Sequence, residues 1–147
     1  MYFQNKSTAD GGLAVFLRNK FQGKTIQSIS LQLPHMESLF LEVTGKVKYL
    51  VGVIYRPPNA DIQDFMMSLE DVLDVITRTY GNTTCYIIGD FNINLLNNDN
   101  RVQNFTNLLY LHSYLPVITK PTRVTHHSAT LLDHLWTNNL RGASPIF

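Results

Sequence analysis

The sequence predicts a layered α/β domain, with helices laid over a largely buried sheet. Two segments, Tyr49-Leu50-Val51-Gly52-Val53-Ile54-Tyr55 and Thr84-Cys85-Tyr86-Ile87-Ile88-Gly89, are apolar on both faces, as strands in the middle of a covered sheet are. Between them Phe65, Met66, Leu69, Val72, Leu73 and Ile76 recur at the i, i+3/i+4, i+7 spacing of an amphipathic helix. Buried strands joined by a crossover helix are the mark of layered α/β packing.

Length and composition fit one such domain spanning residues 1–147, because the chain shows no repeat, no Pro/Ser-rich linker and no shift of composition. With 44% hydrophobic and 16% charged residues, wholesale disorder is excluded. The single cysteine, Cys85, excludes a disulfide framework and a multi-thiolate zinc site, and reads as a small buried hydrophobe. Twelve basic against eleven acidic residues leave a net charge of +1, so any site for a polyanion has to be built locally. No apolar run approaches the roughly 18 residues of a membrane span. The N-terminus also lacks a signal peptide's basic-then-apolar layout.

Along the chain, Asp10-Gly11-Gly12 is expected to turn into a short strand, Leu13-Ala14-Val15-Phe16-Leu17. Residues 26–33 alternate imperfectly through Ile26, Ile29, Leu31 and Leu33 until Pro34 stops them. Leu39-Phe40-Leu41-Glu42-Val43, the turn Thr44-Gly45-Lys46 and the strand ending at Tyr55 form a hairpin. Arg56-Pro57-Pro58-Asn59 must then be a loop, since residues before proline avoid helix. Asp61 caps a helix over 61–78, and Gly81-Asn82 stops it. The asparagine-rich stretch after Asp90 is a loop, and Val102, Phe105, Leu108, Leu109 and Leu111 mark a second helix over roughly 100–112. Both helices are expected on the outer face of the sheet that ends at Asp90, each being apolar on one side only. A short segment at Pro116-Val117-Ile118, a Thr/His-rich loop at 119–130 and a strand over 131–136 complete the pattern.

Polar residues cluster at the ends of these strands, where α/β sheets place their sites. Tyr55, Arg56 and Asn59 project from a proline-stiffened loop suited to phosphate oxygens, or the loop is a rigid connection and nothing more. In Gly89-Asp90-Phe91-Asn92, Phe91 turns inward and leaves Asp90 and Asn92 together, able to orient a water or hold a hard cation; an Asx turn is the plainer reading. Asp133 interrupts an apolar strand and needs a partner, a histidine or a metal. His134 points to the other face, so the two are no automatic dyad. Arg123 and Lys120 are candidates for backbone phosphates. His126-His127 reads as a solvated loop, and Trp136 as core.

Taken in order, residues 12–18, Glu37 to Val43, Gly52 to Asn59, the string Gly-Asp-Phe-Asn-Ile at 89–93, and Pro121-Thr122-Arg123 with Leu-Leu-Asp-His-Leu-Trp-Thr-Asn at 131–138 resemble a known family. It is the apurinic-type endonuclease domain of non-LTR (LINE-like) retrotransposons, part of the endonuclease/exonuclease/phosphatase superfamily. The resemblance implies a four-layer sandwich of two mixed β-sheets flanked by helices, and a Mg²⁺-dependent site that nicks target DNA for target-primed reverse transcription. Tyr55 matches the family's active-site tyrosine and Asn59 approximates its substrate-side asparagine. Asp90 matches the aspartate that activates water and is the one metal ligand carried over. Asn92 matches its orienting amide, and Asp133 the aspartate that pairs with a catalytic histidine. Arg56 and Arg123 are the expected substrate-binding cations. DNA is the implied partner, a reverse transcriptase domain the implied neighbour in the parent protein, and the location intracellular, nuclear in a eukaryotic host.

The departures point to an incomplete copy. The family's upstream strands carry an asparagine and the metal-binding glutamate, and neither motif is present; Glu37 and Glu42 lie in a different family segment. Ser144-Pro145-Ile146-Phe147 looks like the family's Ser-Asp-His ending with Asp-His lost, and Asn94 stands where an aspartate is common. The expectation is a domain truncated at both ends and inactive as it stands. A non-catalytic remnant or a DNA- or protein-binding module of the same fold is the alternative. The Pro-Thr-Arg and Leu-Leu-Asp-His-Leu-Trp patterns disfavour a phosphatase for small phosphoesters.

Overall fold

The computed structural model describes residues 1–5 and 12–139. The turn expected at Asp10-Gly11 and the ending expected at Ser144-Pro145-Ile146-Phe147 lie outside the described residues. In chain order the elements are β1 (Tyr2–Asn5), β2 (Gly12–Val15), β3 (Gln22–Thr25), a 3₁₀ turn (Gln27–Ile29), β4 (Gln32–Leu33), β5 (Met36–Thr44), β6 (Lys48–Tyr55), α1 (Ile62–Tyr80), β7 (Thr84–Asp90), α2 (Asn100–Leu111), β8 (Leu115–Pro116), β9 (Arg123–Val124), β10 (Ala129–Thr130) and β11 (Asp133–Thr137).

Seven strands form one mixed sheet in the order β3-β5-β6-β7-β11-β8, with β4 beside β5. Only β6 and β7 are parallel, and α1 is the crossover that a parallel pair requires. Asp61 starts this helix by accepting from the backbone N–H groups of Gln63 and Asp64 at 2.8 and 3.0 Å. Asp99 does the same for α2 with Arg101 and Val102, both at 3.0 Å.

The strand alternation sorts side chains between two cores. Phe40, Leu50, Ile54, Cys85, Ile87 and Trp136 meet Phe65, Leu69 and Leu73 of α1 and Phe105 and Leu109 of α2. Both helices therefore lie on the same face. On the other face Leu39, Leu41 and Val43 pack against Tyr2, Leu13, Val15 and Leu17. The antiparallel pair β1–β2 is thus a small second sheet over β5, and further along, on β7, Ile88 is 43% exposed. Among the described residues the order of layers is helices, seven-stranded sheet, two-stranded sheet: an α/β sandwich in incomplete form, short of the four layers that the resemblance implies.

Two glycines permit the packing. The Phe40 ring lies over Gly52, its partner in the β5–β6 register, where a methyl group would collide with it. At Gly89 a Cβ would lie 1.7 Å from the Ile54 carbonyl oxygen, so β6 and β7 approach this closely only with glycine there.

Local differences from the sequence reading have simple causes. Gln22-Gly23-Lys24-Thr25 carries no apolar pattern, yet it pairs with β5 through its backbone as an edge strand. Residues 26–33, whose apolar positions alternate imperfectly, divide into the 3₁₀ turn and β4, because Ile26 and Ile29 are buried at a spacing of three. Part of the loop at 119–130 pairs as the β9–β10 hairpin.

Candidate active site

Because β6 and β7 are parallel, both end at one rim, and antiparallel β11 begins there. The register is what assembles the polar residues. Tyr55 is opposite Asp90, and Asp90 is opposite Asp133. Glu37 of β5 is opposite Tyr55 in turn. One row across four adjacent strands therefore carries Glu37, Tyr55, Asp90 and Asp133. By alternation the row lies on the face away from the helices, since Met36, Ile54 and His134 beside its members belong to the helix-side core.

Adjacent strands are ~4.8 Å apart, so two carboxylates directly opposite one another repel. Arg123 of β9 answers that repulsion. Its Nη2 donates to Asp90 Oδ2 at 3.3 Å, and its Nε lies 3.9 Å from Asp133 Oδ2. The three side chains are partly open to solvent, 28% for Asp90, 46% for Asp133 and 56% for Arg123, so the ion pairs are screened. The partner that Asp133 needs is thus an arginine, where a histidine or a metal was expected.

The backbone around Asp90 is tied on both sides. Arg56 N–H donates to the Asp90 carbonyl at 3.0 Å, and Phe91 N–H to that of Leu132 at 3.1 Å. Asp90 Oδ1 accepts from Asn92 N–H at 3.1 Å. Phe91 turns inward and is fully buried, as expected.

Asn92 and Arg56 depart from their expected orientations. β7 ends at Asp90, and Asn92 has φ 50°, in the left-handed region, so strand alternation stops before it. Its amide Nδ2 donates to the Arg56 carbonyl at 2.7 Å instead of lying beside the Asp90 carboxylate. Arg56, expected to face substrate, is 6% exposed. Its guanidinium donates to the carbonyls of Asn92 and Ala60 and lies 5.8 Å from the Phe65 ring centre. Burial lowers its pKa, with the charge of Arg101 a further cause. Arg56 and Asn92 therefore brace the loop together. Asn59 is exposed in the turn before α1.

His134 is buried behind the row and stacked on Phe91 at 4.8 Å and 9°. Its Nε2 lies 2.9 Å from the Ile93 carbonyl and 3.1 Å from that of Leu131. Both partners are acceptors, so Nε2 carries the proton, and burial lowers the pKa of the ring. His134 thereby links the segment after Asp90 to the segment before Asp133. His126 and His127 are exposed.

A divalent ion does not fit this donor set. Among the described residues no group of three His, Cys, Asp or Glu side chains could hold a metal. Asp90 and Asp133 face a guanidinium, and the Asn92 amide is turned to the Arg56 carbonyl.

The sequence reading missed the place of Glu37 in the row and the bridging by Arg123. Neither was legible: the place of Glu37 depends on the β5–β6 register, and 33 positions separate Arg123 from Asp90.

The family described as Endonuclease/Exonuclease/phosphatase matches residues 2–145. The chain belongs to the endonuclease/exonuclease/phosphatase family. That fold is a nuclease and phosphodiesterase fold, and its members generally use a divalent metal. Among solved structures, the endonuclease domain of TRAS1, a telomere-specific non-LTR retrotransposon, is similar with a TM-score of 0.66 and 14% identity, over 93% of this chain and 67% of that one. A humanized D. rerio TDP2 is similar with a TM-score of 0.58 and 18% identity, over 86% and 54%. The human Nocturnin catalytic domain with bound sulfate anion follows with a TM-score of 0.53 and 17% identity, over 84% and 50%. The chain thus spans between half and two thirds of the length of these structures. No curated protein matches it. No described helix is long and apolar enough to cross a membrane.

Proposed function

We propose that the chain is an endonuclease domain of the retrotransposon type, a single unit over residues 1–147, whose rim row handles the phosphodiester backbone of DNA. In this reading the parent protein nicks target DNA for target-primed reverse transcription, with Mg²⁺ and an attached reverse transcriptase domain, in the nucleus of a eukaryotic host. Asp90 is the water-orienting carboxylate, and Tyr55 and Asp133 flank it. Arg123 and Asn59 lie on the substrate side, while Asn92 acts by holding the loop. The observation that carries this reading is the register of Tyr55, Asp90 and Asp133 on three adjacent strands. The similarity to the TRAS1 endonuclease domain over 93% of this chain supports it.

The 147-residue chain by itself does not complete the reaction, because Arg123 is engaged with both carboxylates and no three-ligand group stands beside them among the described residues. A second reading, a DNA-binding module without catalysis, is favoured by that same Arg123 bridge, which offsets the carboxylates without a metal. Relaxation of supercoiled plasmid with Mg²⁺ and then Mn²⁺ tests activity, with Asp90→Ala as the control for contaminating nuclease. No relaxation is expected. Relaxation that Asp90→Ala abolishes would show an active nuclease. A duplex gel-shift titration tests the DNA reading: weak binding that falls as salt rises is expected, and no binding at low salt would remove DNA as the partner.

A further inference from the structure

The small second sheet turns two aromatic rings to solvent. Tyr2, Leu13, Val15 and Leu17 pack inward on Leu39, Leu41 and Val43, so by alternation Phe3, Ala14 and Phe16 point the other way. Exposure keeps alternating past the end of β2 as far as Arg18. Phe16 is 76% exposed and Phe3 57%. Phe3 is paired with Ala14, which puts Phe16 on the diagonal from it, about 7–8 Å away in a regular antiparallel pair. Tyr2 pins this sheet to β3: its hydroxyl donates to the Gly23 carbonyl at 2.7 Å and accepts from the Gly23 N–H at 3.1 Å. Exposed apolar surface gathered on one face and rimmed by polar groups marks an interaction site.

Cations gather beside these rings. Arg18 and Lys20 lie in the turn after Phe16, which the Phe21 N–H closes on the Arg18 carbonyl at 2.9 Å. Lys20 Nζ is 5.0 Å from the centre of the Phe21 ring. That ring lies against Gly45, next to Lys46 in the β5–β6 turn. Lys24 stands opposite Glu42, and Glu42 pairs with Lys48 at 3.1 Å. All five cations are exposed. Segments 16–25 and 42–48 hold five of the chain's twelve basic residues and one of its eleven acidic ones. A chain of net charge +1 thus keeps a basic corner. It lies where β5 ends and β6 begins, about 23 Å along β6 from Tyr55 and the rim.

We propose that this corner binds a single-stranded nucleic acid, its bases stacked on Phe16 and Phe3 and its backbone following Arg18, Lys20 and Lys46. Aromatic rings accept any base, and a track of cations beside them answers the phosphates. The cations also wrap round the edge of the large sheet. Lys24 and Lys48 lie on its helix side, in alternation with Leu50 and opposite Glu42 and Thr44, while Phe3 and Phe16 face the opposite way. A flexible strand follows such a bend, whereas a membrane surface needs its cations and apolar groups in one plane. No residue of the Asp90 row takes part, so this site stands or falls apart from the rim.

The test is fluorescence anisotropy of a short labelled oligothymidine titrated with the 147-residue chain at several salt concentrations. Saturable binding is expected, tighter than for a duplex of equal length. Phe16→Ala should weaken it about tenfold, the loss of one stacked base, and Phe16→Tyr should keep most of the affinity. Lys20→Gln and Lys46→Gln should each reduce the slope of log K against log salt by roughly 0.7. These three side chains are exposed, so the variants fold, which circular dichroism checks. Failure to bind the single strand overturns the inference. So does binding that Phe16→Ala leaves unchanged, since that is attraction by charge alone. A duplex held as tightly as the single strand, with no effect at Phe16, would return the DNA contact to the rim. Capture by anionic lipid vesicles without binding of the oligothymidine would make the corner a membrane contact and overturn it as well.

Discussion

Asp133 stands directly opposite Asp90 in the β7–β11 ladder, and Arg123 from outside the sheet reaches both carboxylates. A like-charge pair in this position is destabilising by itself. Arg123 thus carries a role in the fold whatever it does for substrate. Because the three side chains are partly exposed, the effect is small. Arg123→Gln should lower stability by up to about 1 kcal/mol, and the loss should shrink when Asp133→Asn has already removed one charge. A double-mutant cycle in urea reads the coupling, and additive losses would show that the bridge contributes nothing. Added salt should shrink the coupling as well.

The buried imidazole of His134 makes stability depend on pH in a defined sense. Its folded pKa lies below the ordinary value of about 6.5 because burial disfavours the charged form. The unfolded chain therefore takes up the proton first. The contribution is complete above pH ~6.5 and is lost as pH falls through the folded pKa, with a slope of at most about 1.4 kcal/mol per pH unit. Urea midpoints taken down the acid side should fall more steeply for the natural chain than for His134→Gln. Equal slopes would place the titration elsewhere.

Cys85 is fully buried, and burial pushes its thiol up to about 12. It should resist a disulfide reagent at neutral pH in the folded chain and react at once in denaturant, since the thiolate is the nucleophile. Rapid modification without denaturant would mean that the strand opens locally.

What the sequence revealed depended on how local the cause was. α1 announced itself through five buried apolar residues at helical spacing and one capping aspartate, all within one segment. Tyr55 and Asp90 could be named because each stands at the end of an apolar run, and Asp133 because it interrupts one. Their shared row could not be derived, since it depends on the registers of two ladders. The side-chain directions of Arg56 and Asn92 were hidden for a related reason. Alternation gives direction only while a strand lasts, and both residues follow one that has just ended. β3 was invisible because an edge strand of polar residues is held by backbone pairing, which leaves no trace in its side chains.

The approach of β6 to β7 beside the rim depends on Gly89. An alanine Cβ there would lie 1.7 Å from the Ile54 carbonyl oxygen, a backbone atom that cannot rotate away. Gly89→Ala should therefore cost about 3 kcal/mol or more, at the upper end of overpacking, and should disturb the amides of Tyr55 and Asp90. A variant with unchanged unfolding temperature would mean that the two strands separate more easily than their register suggests.

Asn92 separates a backbone requirement from a hydrogen bond. With φ 50° it occupies a region that asparagine tolerates, glycine enters freely and alanine resists by roughly 1–2 kcal/mol. Its amide also holds the Arg56 carbonyl at 2.7 Å, a neutral hydrogen bond worth about 1 kcal/mol. Asn92→Gly keeps the conformation and loses the bond, so it should cost near 1 kcal/mol plus a few tenths for the greater freedom of the unfolded chain. Asn92→Ala loses both and should be the less stable variant by a further ~1 kcal/mol. Thermal unfolding of the pair, compared with the natural chain, reads the two contributions separately. Equal losses would show that the left-handed backbone carries no strain and that the brace to Arg56 is the whole of what Asn92 does for the fold. A glycine variant as stable as the natural chain would show the reverse. In that case the Asn92 amide would be free to leave Arg56, and its place beside Asp90 as an orienting group would again be open to a bound substrate.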